Sequence, residues 1–152
     1  MSPYISGAVM DGPVALLLVL ANGRRNAATI SCFSELAHHP TSLWVSIATG
    51  SYTHDLVLQA GAFTLAVLSD RQRQIALACG SVSGRDQDKV ATLAVHASPS
   101  GLLAVDGALA SSLCRVRERI ALNDHTVFLA DIVEGVMDSR ASRRRHLLLS
   151  DL

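Results

Sequence analysis

The pattern of apolar and polar residues predicts a series of strands in the first third of the chain. Residues 13–20 form a continuous apolar run of strand length, and the Asn-Gly pair that follows is a strong signal for a hairpin turn. Residues 26–33 mix small, β-branched and hydroxyl side chains, which favours a second strand that pairs back on the first. Pro40 interrupts the pattern, and residues 43–49 are predicted to form a third strand.

Two short helices are predicted after Gly50, where the apolar period changes to that of a helix. Each is bracketed by a capping residue and a glycine, which is typical of helix ends. The predicted helices are 54–60, capped by Thr53 and ended by Gly61, and 71–79, capped by Ser69 or Asp70 and ended by Gly80. Between them, residues 63–68 have the composition of a strand, and residues 81–88 are expected to form a polar loop.

The second half of the chain contains two long predicted strands, 108–122 and 126–137, on either side of an Asn-Asp turn. The first strand alternates between Cys114, Val116 and Ile120 on one side and Arg115, Arg117 and Arg119 on the other. Several strands with two short helices and no regular strand–helix alternation predict a mainly β (α+β) architecture. We expect one domain over 1–152, built as a closed or nearly closed antiparallel barrel with short helical insertions.

Composition narrows the classes of function. The 152 residues are 49% hydrophobic, which supports a folded core, and 13 basic residues balance 13 acidic ones. Zero net charge gives no general attraction to nucleic acid or anionic lipid, and it favours burial of surface in an oligomer. We therefore expect no nucleic-acid partner and no membrane partner.

The longest apolar run and the cysteines exclude further classes. Residues 14–20 are too few to span a membrane and lack the flanking pattern of a signal peptide, so a cytoplasmic location is expected. The three cysteines are widely spaced, and no Cys/His spacing typical of a zinc site occurs. Neither a disulfide framework nor a metal site is therefore expected.

One group of polar residues beside an apolar strand is a candidate for ligand binding. Thr29, Ser31 and Cys32 lie on the predicted second strand, close to Asn26. Hydroxyl groups and exposed backbone amides at such a place suit the polar edge of a planar heterocycle. The alternative is that Thr and Ser simply populate a barrel strand.

Two further candidates suit a phosphate group. Ser51 and Thr53 stand at a predicted helix start, where free amides bind anions, although an ordinary helix cap has the same sequence. The polar loop 81–88 contains Arg85. Lys89, the sole lysine in the sequence, directly follows the loop. An ammonium is a good partner for phosphate, but a chain that favours arginine also explains why lysine is rare.

His125 follows Asp124 at the start of the last long strand, where an imidazole either contacts a substrate or caps the turn. The sequence contains no nucleophile elbow, P-loop, zinc-protease or Rossmann motif. A nicotinamide-dependent enzyme built on this chain would therefore hold its nucleotide in another way.

In their order and spacing, these segments resemble the flavin reductase-like family, whose members share the FMN-binding split-barrel fold. The matching segments are 13–20, 26–34, 43–48, 61–68, 74–76, 83–89 and 124–128, with Pro40 and Thr53 between them. The resemblance implies a homodimer that binds FMN, or FAD, near its interface and oxidises NAD(P)H. Such a flavin reductase would supply reduced flavin to a partner monooxygenase.

The resemblance also implies roles for the candidate residues. Asn26, Thr29, Ser31 and Cys32 would line the isoalloxazine; Ser46, Ile47 and Ala48 would follow the ring and ribityl chain; Ser51, Thr53, Arg85 and Lys89 would hold the phosphate. His125 matches the Asp-His pair on the family's nicotinamide side and is the candidate catalytic residue. Lys89 and Thr53 are expected to be partly exposed, so replacing them should weaken flavin binding more than it lowers stability.

The sequence departs from the family pattern on the nicotinamide side. Asn123 and Ala130 stand where glycines are usual, and the family's C-terminal Pro-Leu-x-Tyr-like stretch is missing. A second hypothesis is therefore an FMN-binding electron-transfer protein without nicotinamide activity of its own. A cofactor-free or heme-binding relative on the same barrel is a third.

Overall fold

The structure is a computed structural model that describes residues 10–152, so the first nine residues of the predicted domain lie outside it. In chain order the elements are β1 (Ala15–Ala21), β2 (Arg24–Ile30), β3 (Phe33–His38), β4 (Thr41–Ala48), α1 (Tyr52–Ala60), β5 (Ala62–Val67), α2 (Arg73–Ser81), β6 (Val95–Ala97), β7 (Leu103–Val105), β8 (Ala110–Leu122) and β9 (His125–Met137). Short 3₁₀ segments occur at Asp70–Gln72, Val90–Thr92, Ala141–Arg143 and Leu149–Asp151. No helix among the described residues is long and apolar enough to cross a membrane.

Seven strands form one antiparallel sheet in the order β2-β1-β5-β8-β9-β4-β3, and β6 pairs with β7 in a separate hairpin. The two outer strands of the large sheet, β2 and β3, are joined by only two residues, Ser31 and Cys32. Because a link this short holds the two edges together, the sheet must curl into a barrel. The predicted antiparallel barrel with short helical insertions is confirmed.

Strand β1 explains the continuous apolar run of the sequence. Leu17 and Val19 face the core that includes α1, whereas Leu16 and Leu18 face a second core beneath α2 and the C-terminal segment. Both faces of β1 are therefore buried, and neither tolerates polar residues. Leu147, near the C-terminus, bonds through its backbone to Val14 and Leu68 and closes the second core.

The predicted hairpin turns are confirmed. Asn22 and Gly23 join β1 to β2 with φ values of 52° and 76°, the left-handed conformation that Asn and Gly adopt most readily. Asn123 joins β8 to β9 with φ of 48°. Asparagine thus meets the conformational requirement at the position where the family commonly has glycine.

Both predicted helices exist, but their ends differ from the prediction. Ser51, not Thr53, caps α1: its Oγ accepts the His54 amide at 3.2 Å, and Gly61 ends the helix as expected. Helix α2 begins at Arg73 after a 3₁₀ turn capped by Ser69, and it continues through Gly80 to Ser81. Gly80 does not end this helix; a Cβ there would lie 3.4 Å from the Thr29 side chain, so the position serves close helix–strand packing.

The sequence pattern missed three strands. Residues 26–33 are not one strand, because β2 ends at Ile30 and Phe33 begins β3. Strand β3 is an edge strand whose residues are nearly all exposed, so it has no buried face and no alternating apolar pattern. Strands β6 and β7 have three residues each, too few for a period to be recognised.

The predicted alternation in β8 holds for Cys114 and Val116 but is wrong for Ile120. Strand β8 contains a β-bulge between Val116 and Glu118, so two of its residues oppose one step of β9. The extra residue reverses the inside–outside alternation beyond it. Ile120 therefore pairs with Val127 on the outer face and is 41% exposed.

Candidate functional site

An open cleft of about 490 Å³ lies where β2 and the link 31–32 face the end of β4, the start of α1 and the 82–89 loop. The structure brings all twelve candidate residues together along its walls: Asn26, Thr29, Ser31, Cys32, Ser46, Ile47, Ala48, Ser51, Thr53, Arg85, Lys89 and His125. They come from five separate stretches of sequence, and the curvature of the barrel places them at one opening. Tyr52, Cys79 and Gly84 also line the cleft and were not among the candidates.

The N-terminus of α1 supplies unpaired backbone donors to this cleft. The Ser51 side chain accepts a hydrogen bond from the His54 amide, and the Ser51 carbonyl accepts one from the Asp55 amide. The amides of Tyr52 and Thr53 have no acceptor among the described residues. Two free N–H groups at the positive end of a helix dipole form a site for an anion.

Asn26 forms the floor of the cleft next to this helix. Its Nδ2 donates to Thr53 Oγ1 at 2.8 Å, and both side chains are almost completely buried. Its Oδ1, in contrast, is buried without a hydrogen-bond partner. A buried polar atom without a partner is costly, and the Gly84 backbone covers this one, so a bound molecule does not reach it while the loop keeps this position.

The 82–89 loop covers Asn26 so closely that position 84 requires glycine. A Cβ added to Gly84 would overlap the Asn26 side-chain amide. The loop then places the half-exposed Arg85 beside α1, where Nη2 donates to Asp55 Oδ2 at 3.1 Å and to the Gly50 carbonyl at 3.2 Å. The guanidinium also lies 5.1 Å from the centre of the Tyr52 ring, within cation–π range.

Lys89 is not the partly exposed ammonium that the sequence predicted. It is 4% exposed, and its Nζ donates to the carbonyls of Cys79 and Val82 at 2.8 and 2.9 Å, where α2 ends. Burial lowers the pKa of Lys89 from its ordinary value. Thr53 is equally buried, so the expectation of partial exposure is wrong for both residues. Lys89 primarily satisfies the last carbonyls of a helix.

On the β2 wall of the cleft, some polar groups already form hydrogen bonds within the protein. Thr29 Oγ1 donates to the Ala76 carbonyl of α2 at 2.5 Å, so its proton is not free for a ligand. Ser31 is partly exposed, and Cys32 is an exposed free thiol. Cys79, at the inner end, is buried, and burial raises the pKa of its thiol.

Strands β4 and β9 form the opposite wall. Ala48 pairs with His125 and Ser46 pairs with Val127, so Ser46, Ala48 and His125 lie on one face of the sheet. Nδ1 of His125 lies 2.9 Å from Asp124 Oδ1, and this hydrogen bond lowers the pKa of the Asp124 carboxyl. With Nδ1 as the donor, Nε2 remains available as an acceptor at the mouth of the cleft.

A second histidine near the site carried no signal in the sequence. His54, on the inner side of α1, connects Asp55 to Thr126 of β9 through its two ring nitrogens. Its neighbours come from distant parts of the chain, and neither the helical pattern nor a motif identifies it.

A flavin mononucleotide fits these features. The cleft volume is within the range of about 300–1,000 Å³ that is typical of ligand sites. Its phosphate requires free amide donors and a cation, which the α1 N-terminus and Arg85 offer. Its heterocycle requires a wall that combines apolar surface with hydrogen-bonding groups, which Ala48, Ser31 and Cys32 offer.

Fold and site together define a class of proteins: split-barrel flavin-binding proteins. The chain belongs to the family described as flavin reductase like domain, whose sequence model matches residues 7–151. It is 28% identical over 137 residues to an NADPH-flavin oxidoreductase of Streptomyces viridifaciens, covering 86% of this chain and 70% of that protein. The resemblance to the flavin reductase-like family is confirmed.

Two other relatives support the same class. The chain is 29% identical over 122 residues to the reductase component of a 4-nitrophenol 4-monooxygenase/4-nitrocatechol 2-monooxygenase from Rhodococcus opacus, covering 80% of this chain and 64% of that protein. A crystal structure of an FMN-binding protein from Thermus thermophilus superposes with a TM-score of 0.83 at 25% identity, covering 90% and 77% of the two chains. The predicted FMN-binding split-barrel fold is confirmed.

Proposed function

We propose that this protein is an NAD(P)H-dependent flavin reductase that binds FMN in the cleft and supplies reduced flavin to a partner monooxygenase. Family membership supports the reaction class, and the naming of the Rhodococcus opacus relative as a reductase component supports the partner class. The observation that carries the assignment to this cleft is the meeting of two free helix amides and Arg85 at one opening.

The phosphate belongs at the N-terminus of α1. The free amides of Tyr52 and Thr53 donate to it, and Ser51 and Arg85 lie at the same end of the cleft. FAD carries a phosphate at the same point of the molecule, so it meets the same donors. Lys89 lies behind this position with two of its three N–H groups occupied by carbonyls, so Arg85 is the principal cation.

The ring system belongs between the link 31–32 and strand β4. Backbone and side-chain groups of Asn26, Ser31 and Cys32 line its polar edge, and Ala48 provides apolar surface. The Ile47 side chain packs in the barrel core, on the other face of β4. Flavin bound there supplies hydride-accepting chemistry. The protein's task is to hold the nicotinamide and the ring in contact, to exclude water and to direct N–H groups at the developing negative charge.

His125 lies at the mouth of the cleft, on the side where the nicotinamide substrate approaches. Its ring is held by Asp124, and its partly exposed position permits contact with a substrate that arrives from solvent. We assign to His125 a role in orienting the nicotinamide. No proton transfer by this residue is required, because hydride transfer needs orientation rather than a protein nucleophile.

The functional form is a homodimer. The outer face of β4, β8 and β9 carries Trp44, Ile120, Leu122, Val127 and Leu129 next to the Ser46–His125 wall of the cleft. An apolar face of this kind on a chain of zero net charge favours association. A second copy on this face would cover the open side of the flavin site.

The experiment is a titration of purified protein with FMN, followed by anaerobic addition of NADH or NADPH. Quenching of FMN fluorescence measures binding, and loss of flavin absorbance measures reduction. Acceleration over free FMN is the expected result. Tight FMN binding without turnover supports the electron-transfer alternative, and absence of any flavin binding refutes the proposal.

A further inference from the structure

His54 is a nearly buried titratable residue that the proposed reaction does not use. His54 is the third residue of α1, and its side chain is 8% exposed. Its ring centre lies 5.8 Å from that of Phe128 in the barrel core. Both ring nitrogens have hydrogen-bond partners. A polar ring that is fixed on both sides acts as a rigid support between the elements that it joins.

The Nδ1 side of this ring faces the phosphate end of the cleft. Nδ1 lies 3.0 Å from Asp55 Oδ1, and the Gly50 backbone N–H points at the same nitrogen from 3.3 Å. The contacts with His54 and Arg85 lower the pKa of the Asp55 carboxyl, so it is ionised at neutral pH and is the stronger partner. One ring nitrogen cannot both donate to Asp55 and accept from Gly50. The shorter contact with an ionised carboxylate favours the tautomer in which Nδ1–H donates to Asp55, which leaves the Gly50 amide without this acceptor.

The Nε2 side anchors the ring to the barrel. Thr126 Oγ1 lies 3.0 Å from Nε2 and 3.0 Å from Thr49 Oγ1. With the proton on Nδ1, Nε2 accepts from Thr126, and Thr126 accepts from Thr49, so these three side chains are all satisfied. The imidazole orientation is thereby set by strand β9, independently of the exposed loop that carries Arg85.

Asp55 connects the oriented His54 ring to Arg85 by hydrogen bonds at its two carboxylate oxygens. One carboxylate oxygen takes the His54 proton, and the other holds Arg85 Nη2 at 3.1 Å. Arg85 is on an exposed loop, and a free arginine loses much rotamer entropy when it binds a ligand. A guanidinium that is already oriented before the ligand arrives avoids most of that cost.

We propose that His54 is a positioning residue: through Asp55 it orients Arg85 toward the flavin phosphate, and so makes the protein prefer phosphorylated flavins to riboflavin. This inference rests on the proposed function, because it assumes that the cleft binds flavin. It assigns to the His54–Asp55–Arg85 series a selectivity that depends on the 5′-phosphate and leaves contacts with the ring system unaffected.

Two substitutions at His54 separate the two sides of the ring. His54→Asn keeps an amide N–H near the Nδ1 position and loses the bond to Thr126, whereas His54→Gln places its amide near Nε2 and loses the bond to Asp55. Both remove the ring and should destabilise the protein to a similar degree. The measurement is the dissociation constant of FMN and of riboflavin for each variant, by fluorescence quenching without nicotinamide.

In His54→Gln, the ratio of riboflavin to FMN dissociation constants should fall by about five- to tenfold, as expected for loss of one oriented charge-assisted contact. In His54→Asn, which keeps a donor to Asp55 but loses the anchor to Thr126, the ratio should fall less than in His54→Gln. In the control His38→Gln on the exposed strand β3, the ratio should stay close to that of the wild type. Equal ratios in His54→Gln and the wild type, or parallel losses for both flavins, would overturn the role of His54.

Asp55→Ala tests the same contact at a partly exposed position where folding is not at risk. If Asp55 acted only as a negative charge, its removal would strengthen phosphate binding. Positioning of Arg85 predicts the opposite sign, a lower preference for FMN, and a higher preference would refute the inference. Wild-type protein that binds neither flavin refutes the proposed function instead, whereas equal binding of both flavins refutes only this selectivity.

Discussion

Asn26 and Gly84 fit together so closely that the floor of the cleft depends on the absence of a single methyl group. Gly84→Ala would force the 82–89 loop away from Asn26. We expect the free energy of unfolding to fall by about 1–3 kcal/mol and the FMN dissociation constant to rise about tenfold. Denaturant unfolding and fluorescence titration measure the two quantities.

Gly12→Ala is the matched control, because a Cβ at that position meets no atom within 4 Å and the backbone there needs no glycine. It should leave both quantities unchanged. Wild-type affinity in Gly84→Ala would mean that the loop moves without consequence for the ligand, and that Asn26 is not part of the site.

Lys89 illustrates how a residue type can suggest the wrong role. Lys89→Met retains most of the side-chain volume but leaves the carbonyls of Cys79 and Val82 without their donor. The free energy of unfolding should fall by about 1–3 kcal/mol. FMN affinity should change less than about threefold, because Arg85 is the principal cation.

Arg24→Met, at an exposed position on β2, is the control. A large loss of FMN affinity with unchanged riboflavin affinity would restore the phosphate role that the sequence suggested.

The ionisation of Asp55 makes a further prediction about acid stability. Its pKa is lowered from the ordinary value of 3.8, first by the hydrogen bond with His54 and then by Arg85. A carboxyl whose pKa is lower in the folded state stabilises that state above its unfolded pKa, and the contribution is lost as pH falls through the folded pKa. The stability advantage of the wild type over Asp55→Asn should therefore shrink as pH is lowered from about 5 to about 3. A constant difference across this range would contradict the ion pair.

At the residue scale, sequence and resemblance selected the residues of the cleft but not what each side chain contacts. Thr29 and Lys89 line the cleft, yet their donors are directed at carbonyls of α2. His54 contacts Asp55 in α1 and Thr126 in β9, and Thr126 is 72 positions away along the chain. Such contacts depend on tertiary packing, and no local pattern of residues encodes them.

At the scale of elements, the β8–β9 hairpin shows a departure from the family pattern that the backbone explains. Asn123 adopts φ of 48°, which alanine reaches at a cost of about 1–2 kcal/mol. Asn123→Ala should lower the free energy of unfolding by about 1 kcal/mol, whereas Asn123→Gly should stay within about 0.5 kcal/mol of the wild type. Chemical denaturation of both variants is the measurement. Equal destabilisation by alanine and glycine would show instead that the Asn side chain itself matters.

Elements with a strong local signal were predicted and weak ones were not. The run that forms β1 is apolar because two cores cover the strand, and the turns at Asn22 and Asn123 depend on local backbone preference. The edge strand β3 and the short β6–β7 hairpin lack such signals. The bulge in β8 is set by pairing with β9, so the exposure of Ile120 could not be deduced from alternation alone.

At the scale of the whole molecule, the cleft and the apolar outer face are parts of one surface. Ser46, Ala48 and His125 share their face of the sheet with Trp44, Val127 and Leu129. The sequence favoured an oligomer from charge and apolar content, but it did not indicate the face proposed above, because the bulge decides that Ile120 points outward. A partner subunit on this face would restrict solvent access to the bound ring, which hydride transfer requires.

Ile120→Glu tests whether the proposed dimer forms on this face and completes the flavin site. A carboxylate in the middle of the apolar face would be desolvated without a partner, so the dimer should dissociate about 100-fold more readily. FMN affinity should fall with it and should recover at high protein concentration, because binding and association are linked. Analytical ultracentrifugation and fluorescence titration over a range of protein concentrations measure both.

Leu58→Glu on α1 is the matched control, since Leu58 is 40% exposed against 41% for Ile120. A monomeric Ile120→Glu protein with wild-type FMN affinity would show that each subunit holds its flavin alone.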